Sequence, residues 1–474
     1  MEESLESFFD GETLSLVGRF ENMREQRQHY FFDVDEFEEI IDYYFFKNEQ
    51  RKALMTIKLS LEQHPNNTLL LIKMVQYQVN ANRDHEALRI LKELDQSPVC
   101  DSDLFLAKGN LYSQLEKPEK AIEEFKRALD GAEYIDEIYA NIAFEYESLS
   151  KYQKAIEYLL KAIELNPEND SALYEFAFCC EISQQTDRCI SFLHNFIDKN
   201  PYSAPGWFNL GIAFSNNELY EKAIDAYEYV LAIDESFSSA HFNKANCQAN
   251  LGLYEKAIET YRETFFYEEP EPITFYYIGE CYEKLKQFYQ SIEFYQKAID
   301  LDPEFADAWL GIGISHDEMG KPQTALPFIQ KAIKLTPGIP EYWFIQGDIQ
   351  IKLSRIEDAI ISYRKVIELN PDDEEIWLDL SVIFADRKDY QQGYEVLTEG
   401  LKYHENNADF YFGMGYYLFM LGKPQKGSEM VIRGMSMDSE GHKNLFTTFP
   451  EACNHQEIVN IIALNKNPGF PAVQ

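Results

Sequence analysis

The chain has 474 residues, of which 45% are hydrophobic and 15% aromatic, a composition that excludes an intrinsically disordered protein. Its 81 acidic residues outnumber its 43 basic residues, and the net charge of −38 argues against binding to nucleic acid or to an anionic membrane, since both need a basic surface. A chain of this length needs several domains or a repeat array.

The start of the sequence and its cysteines give no sign of export. The opening stretch MEESLESFFDGETLSL is acidic and lacks the apolar segment of a signal peptide. The charge-free run FYFGMGYYLFMLG (410–422) is too short to span a bilayer. Seven cysteines without a CxxC pair do not make a disulfide scaffold. We therefore expect a cytoplasmic protein with no membrane segment.

The first predicted element is a single helix near the start of the chain. Leu14, Val17, Phe20 and Met23 follow one another at three-residue steps, which is the spacing of one helical face. We expect residues 1–33 to form an acidic segment with a helix that caps the repeats described next.

A repeat follows this helix. The segments LYEKAID (219–225) and LYEKAIE (253–259) are nearly identical and stand 34 residues apart, a period that indicates a repeat array. Steps of 34 through Gly211 land on a small residue in ten of twelve places, and steps through Ala223 do so in all twelve. A large and mostly aromatic residue recurs four places before the first small site, as at Trp207.

Within each period the apolar residues follow a helical spacing. In EKAIDAYEYVLAI (221–233), Ala223, Ile224, Tyr227 and Leu231 lie on one stripe. Small residues at two facing sites let two antiparallel helices approach closely, and the large residue fills the gap to the next pair. One pair cannot bury its apolar face alone, so stacked pairs form a continuous core. The sequence therefore predicts an all-α solenoid with about 24 repeat helices and no sheet.

This pattern resembles the tetratricopeptide repeat (TPR) family. The stretch WFNLGIAF (207–214), followed by Ala223 and Tyr227, matches the family's order of a large residue, Leu-Gly, Ala and an aromatic residue. The resemblance covers residues 34–441 as twelve repeats in unbroken register, and the chain is also similar to a group of long bacterial TPR proteins. It implies a right-handed TPR superhelix whose concave surface binds extended peptides.

The last predicted element is a closing helix after the repeats. Pro450 is expected to end a partial helix, because proline cannot continue one, and HQEIVNIIALNK (455–466) follows with helical spacing. We expect residues 442–474 to hold this capping helix and a mobile tail, NPGFPAVQ (467–474).

The candidate binding surface lies on the first helix of each repeat. We number each repeat from 1, so that repeat seven starts at Ser238, and call positions 2, 5, 6, 9, 12 and 13 the first-helix stripe. In the TPR family this stripe lines the concave surface. Amide side chains occupy it at Asn141, Asn209, Asn216, Asn243, Asn246 and Asn250.

Such an amide ladder is suited to the backbone of a bound peptide, because a primary amide both donates and accepts hydrogen bonds. The alternative is that these amides are solvated or terminate helices, which is common for Asn.

Position 5 of the stripe is aromatic in four consecutive repeats, at Tyr174, Phe208, Phe242 and Tyr276. Aromatic side chains offer contact area at a low entropic cost, so this row predicts a wall of the same peptide groove. Packing between neighbouring repeats is the alternative.

Carboxylates also recur in the last four repeats. They occupy position 2 and nearby stripe positions: Asp307, Glu341, Glu375, Asp409, Asp348, Asp379 and Asp386. They would suit a basic ligand, but position 2 lies in the first helical turn, where a carboxylate is stabilised by the helix dipole. We favour the helix-dipole explanation.

The sequence predicts no catalytic chemistry. No HExxH, GxSxG or phosphate-loop pattern occurs. A metal cluster could be suggested by Cys179, Cys180, Cys189 and His194. However, Cys180 and Cys189 occupy apolar packing positions, where free Cys acts as a small buried residue. We expect no enzyme activity, no metal and no cofactor.

The predicted function is that of a scaffold or adaptor, which binds an extended segment or a helix of a protein partner near repeats five to eight. The alternative is a structural subunit of a homo- or hetero-oligomeric assembly that uses its edges or its convex face. The sequence leaves the oligomeric state and the identity of the partner open.

Overall fold

The computed structural model describes residues 11–26, 30–94 and 102–466. Within these ranges the chain forms 27 α-helices and two short 3₁₀ segments, and it contains no strand. The predicted all-α architecture is therefore confirmed. Helices α2 to α25 are consecutive pairs, which makes the predicted 24 repeat helices.

The helices are numbered in chain order. The first fourteen are α1 Gly11–Glu25, α2 Val34–Phe46, α3 Gln50–Gln63, α4 Thr68–Asn80, α5 Asp84–Leu94, α6 Ser102–Gln114, α7 Pro118–Ala128, α8 Ile135–Ser148, α9 Tyr152–Leu165, α10 Asp170–Ile182, α11 Thr186–Lys199, α12 Ala204–Asn216, α13 Tyr220–Ile233 and α14 Ser238–Asn250. The others are α15 Tyr254–Glu263, α16 Pro272–Lys284, α17 Phe288–Leu301, α18 Ala306–Glu318, α19 Pro322–Leu335, α20 Pro340–Lys352, α21 Ile356–Leu369, α22 Glu374–Asp386, α23 Tyr390–Gly400, α24 Ala408–Met420, α25 Pro424–Met437, α26 His442–Thr448 and α27 Gln456–Lys466.

The chain divides into two compact units, residues 1–243 and residues 244–474. In the first unit, α1 places Val17, Phe20 and Met23 against the first helix pair, in one cluster with Phe37 and Tyr44. Burial of these apolar side chains removes their surface from water, and this hydrophobic effect is the main favourable term in folding.

A residue in the left-handed conformation ends the first helix of every repeat. Its φ angle lies between 53° and 75°. For example, the Leu219 N–H donates to the Phe214 carbonyl at 2.9 Å, five residues back, and so helps to satisfy one of the last carbonyls of the helix. The left-handed residue recurs every 34 residues: Asn48, Asn82, Glu116, Ser150, Gln184, Glu218, Gly252, Lys286, Gly320, Ser354, Lys388 and Gly422.

In several repeats the first small site is a glycine that accepts an aromatic ring from the second helix. A Cβ atom on Gly211 would lie 2.5 Å from the Tyr227 ring, and one on Gly347 would lie 2.5 Å from the Tyr363 ring. Both tyrosines are buried. The glycine is required here because the ring lies directly on the helix backbone, at a distance that leaves no room for a side chain.

A hydrogen bond joins several of the repeats to the repeat before them. A ring at position 4 contacts the backbone carbonyl at position 32 of the repeat before it. The tryptophan pairs are Trp207 with Pro201 at 2.9 Å, Trp309 with Pro303 at 3.0 Å, Trp343 with Pro337 at 2.9 Å and Trp377 with Pro371 at 3.0 Å. His241 contacts the Glu235 carbonyl at 3.0 Å, and the Tyr411 hydroxyl donates to the Glu405 carbonyl at 3.2 Å.

In the second unit the repeats end in α26, the 3₁₀ segment Pro450–Asn454 and α27. Helix α27 buries Ile458 and Ile462 in the cluster that also holds Phe449. Residues 1–10 and 467–474, which were expected to be acidic and mobile ends, lie outside the described residues. The division into residues 1–33, 34–441 and 442–474 stays a prediction.

The left-handed turn residues predict a stabilising substitution. Lys286 has a φ of 57°, and a side chain there costs about 1 kcal/mol that glycine does not incur. Lys286→Gly should raise the free energy of unfolding, and with it the urea midpoint. The gain in free energy should be smaller than this cost, because glycine also gains freedom in the unfolded chain. Gln296→Gly, within α17, should lower the midpoint, at a cost of about 1 kcal/mol. A lower midpoint for Lys286→Gly would contradict the turn geometry.

Candidate functional site

The ten candidate residues fall in both units and are described unit by unit. In the first unit, Asn209 is only 2% exposed, and its side-chain nitrogen donates to the Pro205 carbonyl at 2.9 Å, one turn back in α12. This differs from the expected surface amide. Asn209 lies on the first-helix stripe by number, but packing covers it and its own helix uses its donor.

The other amides of the first unit are more accessible. Asn141 in α8 and Asn243 in α14 are half-buried, and Asn216 is exposed at the last residue of α12. The position of Asn216 fits the alternative reading of a helix-terminating asparagine. Asn141 and Asn243 keep the exposure that a ligand contact needs.

In the second unit, the Asn246 side chain has a structural role. Its side-chain oxygen accepts a hydrogen bond from the hydroxyl of Tyr261, a buried residue of α15. Asn250, exposed at the end of α14, donates its side-chain N–H to the Asn246 backbone carbonyl at 3.0 Å. Asparagine is a poor helix former, yet two asparagines of α14 have structural roles. Asn246 accepts a hydrogen bond from a tyrosine hydroxyl, and Asn250 caps the end of the helix.

The aromatic row is built largely by packing. Phe208 is 8% exposed, and its ring centroid lies 6.2 Å from that of Tyr174, 5.8 Å from that of Tyr227 and 4.9 Å from that of Phe237. Tyr174 itself is half-buried. Phe208 thus joins neighbouring repeats, as the alternative reading expected, while Tyr174 keeps an open side.

Tyr276 behaves like Tyr174, and Phe242 is also half-buried. The Tyr276 ring centroid lies 5.6 Å from that of Tyr295 and 5.2 Å from that of Phe305, and its hydroxyl donates to Glu280 at 3.1 Å. Burial and the nearby Glu280 charge raise the pKa of Tyr276, so this hydroxyl stays protonated and acts as a donor.

The first unit also holds a carboxyl group with an unusual proton affinity. The Cys179 thiol donates to Glu147 at 3.2 Å, at the end of α8. Burial, with a further contribution from the Glu175 charge, raises the pKa of Glu147 from 4.5 to about 7. Glu147 stands at position 12 of its repeat, so the stripe carries a carboxyl that titrates near neutral pH.

The second unit contains an open groove at three of the carboxylates that the sequence marked, Asp348, Asp379 and Asp386, for which the helix-dipole explanation was favoured. It has a volume of about 540 Å³ and lies between the first helices of repeats ten and eleven, α20 and α22, with α21 beside them. Its lining combines apolar side chains with three carboxylates: Phe344, Ile351, Ile356, Val382, Ile383, Asp348, Asp379 and Asp386, together with Tyr363 and Arg387. The signal that could have found it is the run of stripe carboxylates outside the first helical turn.

Neither a metal-binding cluster nor a membrane-spanning helix is found in residues 11–26, 30–94 and 102–466. There, His, Cys, Asp and Glu side chains form no group of three or more that could hold a metal ion. No helix in that part of the chain has both the length and the apolar character to cross a membrane. Cys179, Cys180 and Cys189 are buried free thiols.

Known sequence families identify the repeats. Profiles described as "Tetratricopeptide repeat" match residues 102–130, 137–169, 197–265, 272–305, 310–374 and 346–394. Because these matches together cover more than half of the chain, the protein belongs to the tetratricopeptide repeat family, and the predicted resemblance is confirmed. No curated protein matches the chain significantly.

The solved structures that this chain resembles include TPR proteins. The C-terminal part of a TPR protein from Cytophaga hutchinsonii is 20% identical, with 51% of this chain and 99% of that chain covered and a TM-score of 0.44. A TPR protein from Parabacteroides merdae is 15% identical, with 51% and 95% covered and a TM-score of 0.42. The Cut9–Hcn1 hetero-tetramer of APC/C is 14% identical, with 85% and 90% covered and a TM-score of 0.40.

The structural role of Asn246 predicts a difference between two amides of one helix. Asn246→Ala removes the hydrogen bond from Tyr261 and should cost about 1 kcal/mol of stability. Asn250→Ala changes an exposed side chain at the helix end and should cost less than about 0.5 kcal/mol. Urea unfolding of the full chain, followed by circular dichroism, measures both. Equal midpoints for the two variants would show that the Tyr261 bond does not stabilise the fold.

The raised pKa of Glu147 predicts a pH-dependent stability. The folded state holds this proton up to a pH of about 7, while the unfolded state releases it near 4.5, so the stabilisation that is present below pH 4.5 is lost as the pH rises through about 7. Glu147→Gln stays neutral, and its stability relative to wild type should increase between pH 5 and pH 8. Urea midpoints across this range measure the change. The exposed Glu157→Gln is the control, and a parallel profile for the two variants would contradict the prediction.

Proposed function

We propose that this protein is a scaffold that binds other proteins through the first-helix stripe. The observation that carries the proposal is the repeated exposure of polar and aromatic side chains on that stripe, on helices whose other faces are packed. Asn141, Tyr174, Phe242 and Asn243 in the first unit and Tyr276 in the second are all half-buried. Such side chains retain contact area and hydrogen-bonding groups for a ligand, and their partial burial limits the entropy lost on binding.

Only part of the predicted amide ladder belongs to the proposed binding surface. Asn209 and Phe208 are buried and contact other residues of the protein. Asn141, Tyr174 and Asn243 would contact the partner. The partner would be an extended segment or a helix, since both present a narrow face to a row of side chains. The proposal assigns no catalytic residue and no cofactor.

We also propose a reducing compartment such as the cytoplasm for this protein. Its support is that Cys179, Cys180, Cys189, Cys247, Cys281 and Cys453 are free thiols in the structure.

The binding prediction is tested by affinity capture from a lysate of the source cell, read by mass spectrometry. The test variant Asn141→Ala/Tyr174→Ala/Asn243→Ala removes three stripe side chains and should lose a partner that wild type retains. The control Gln153→Ala/Asn195→Ala/Tyr202→Ala removes two amides and a tyrosine that lie off the stripe, in α9, α11 and an exposed turn. Circular dichroism of all three proteins establishes that they are folded.

The comparison separates the stripe from the second helices. A partner kept by the control and lost by the stripe variant supports the proposal. Partner sets that are the same for wild type and the stripe variant would contradict it. A partner lost by the control alone would indicate that the binding surface lies on the second helices.

A second candidate function, assembly through second helices, is favoured by an apolar groove on them. It has a volume of about 540 Å³ and is lined by residues of α9 and α11 that include Leu160, Ile163, Phe192 and Phe196. Leu165, at the end of α9, is 57% exposed. Sedimentation velocity over a range of protein concentrations tests this candidate. A single monomeric species at all concentrations excludes self-association, and an oligomer that Phe192→Ser dissociates would support it.

A further inference from the structure

The groove between α20 and α22 combines an apolar floor with open carboxylates. Phe344 comes from α20, and Val382 and Ile383 come from α22. The volume of about 540 Å³ is ample for one long side chain and the backbone beside it. An apolar floor favours the aliphatic part of a ligand. The groove therefore suits a side chain with several methylene groups.

The charge of the groove is negative. Asp348, Asp379 and Asp386 line it, and the cation among the lining residues, Arg387, is held by Glu357 at 2.9 Å. Burial raises the pKa of Asp379, and the charge of Asp348 raises it further. Like charges at the edge of an apolar cleft repel one another, and a cation placed between them relieves that repulsion.

The helix-dipole explanation does not cover these three residues. Asp348 and Asp379 stand at positions 9 and 6, beyond the first helical turn, and Asp386 is the last residue of α22. A carboxylate at a helix C-terminus is disfavoured by the dipole, so Asp386 weakens the helix that carries it. The Tyr363 hydroxyl donates to Asp348 and holds that carboxylate beside the groove. The fold therefore uses Asp348 to hold a buried tyrosine, whereas the charges of Asp379 and Asp386 lie where the helix dipole does not stabilise them.

We propose that this groove receives an arginine side chain from an extended segment of the partner protein. The inference rests on the scaffold function proposed above and specifies the chemistry of its partner. The methylene groups would lie on Phe344 and Val382, and the guanidinium would face Asp348 and Asp379. Arginine fits better than lysine because its planar group pairs with carboxylates through two parallel hydrogen bonds and stacks on an aromatic face.

The experiment measures binding of labelled peptides to the full chain by fluorescence polarisation at an ionic strength of about 0.15 M. The probes are three fluorescein-labelled, end-capped nonapeptides with alternating alanine and arginine, lysine or citrulline. Citrulline has nearly the shape of arginine but carries no charge. We expect the arginine peptide to bind about tenfold more tightly than the citrulline peptide, and more tightly than the lysine peptide.

Two double variants separate the groove from the general negative charge of the chain. Asp348→Asn/Asp379→Asn removes two charges inside the groove and keeps an acceptor for Tyr363. Glu341→Gln/Glu375→Gln removes two charges from position 2 of the same two helices, outside the groove lining. The groove variant should lose about tenfold in affinity for the arginine peptide, and the control should lose less than about threefold.

Three results would overturn the proposal. Equal losses in the two variants would mean that binding follows net charge, and equal affinity for the citrulline peptide would mean that the carboxylates are not used. Equal affinity for the lysine peptide would remove the assignment to arginine. The capture experiment is independent of these measurements: if the stripe variant still loses its partner, the scaffold function stands and only the arginine groove falls.

Discussion

Several repeats depend on one contact, in which an aromatic ring of the second helix rests on the backbone of the first. Tyr295 shows how far this contact reaches. A Cβ atom on Gly279 of the same repeat would lie 2.7 Å from its ring, and one on Gly311 of the next repeat would lie 2.5 Å from it. A single ring therefore sets the spacing both within a repeat and between repeats. Its hydroxyl donates to Glu283 at 3.0 Å, so the polar end of the buried ring is satisfied as well.

This packing explains much of the chemistry on the first-helix stripe. The tyrosines that rest on small residues point their hydroxyls toward the stripe, where Asn246, Glu283 and Asp348 accept them. Polar groups on the stripe therefore have two uses. Some accept hydrogen bonds from the hydroxyls of buried tyrosines, and others remain open to solvent and to a partner.

The sequence predicted the fold well because its signals are periodic. The 34-residue register, the small sites and the helical spacing follow from side-chain size, and each of them recurs many times. The left-handed turn residues were not predicted, because only Gly252, Gly320 and Gly422 are glycine, while other repeats carry charged residues such as Lys388. The turn geometry is set by the backbone hydrogen bonds that end the helix, so residue type shows it poorly.

The candidate site was harder to predict for a different reason. Position in a repeat gives the direction of a side chain but not its partner, so Asn209 and Asn246 looked like free amides until their hydrogen bonds were seen. The groove of repeats ten and eleven depends on how Phe344, Val382 and the carboxylates meet across two helices. The helix dipole accounts for the acidic residues at position 2, but Asp348, Asp379 and Asp386 carry the same charge at positions where the dipole does not stabilise it.

The hydrogen bond between a position-4 ring and the carbonyl before it also bears on how such a chain changes over evolution. The acceptor is a backbone carbonyl, so Pro201, Glu235 and Glu405 serve equally, whereas the donor must be a ring with a polar tip. Removing or duplicating one whole 34-residue segment between such repeats leaves every ring facing a carbonyl. The molecule can therefore gain or lose length in units of one repeat, and change its acceptor residues freely, while the remaining rings keep their hydrogen bonds to the preceding repeat.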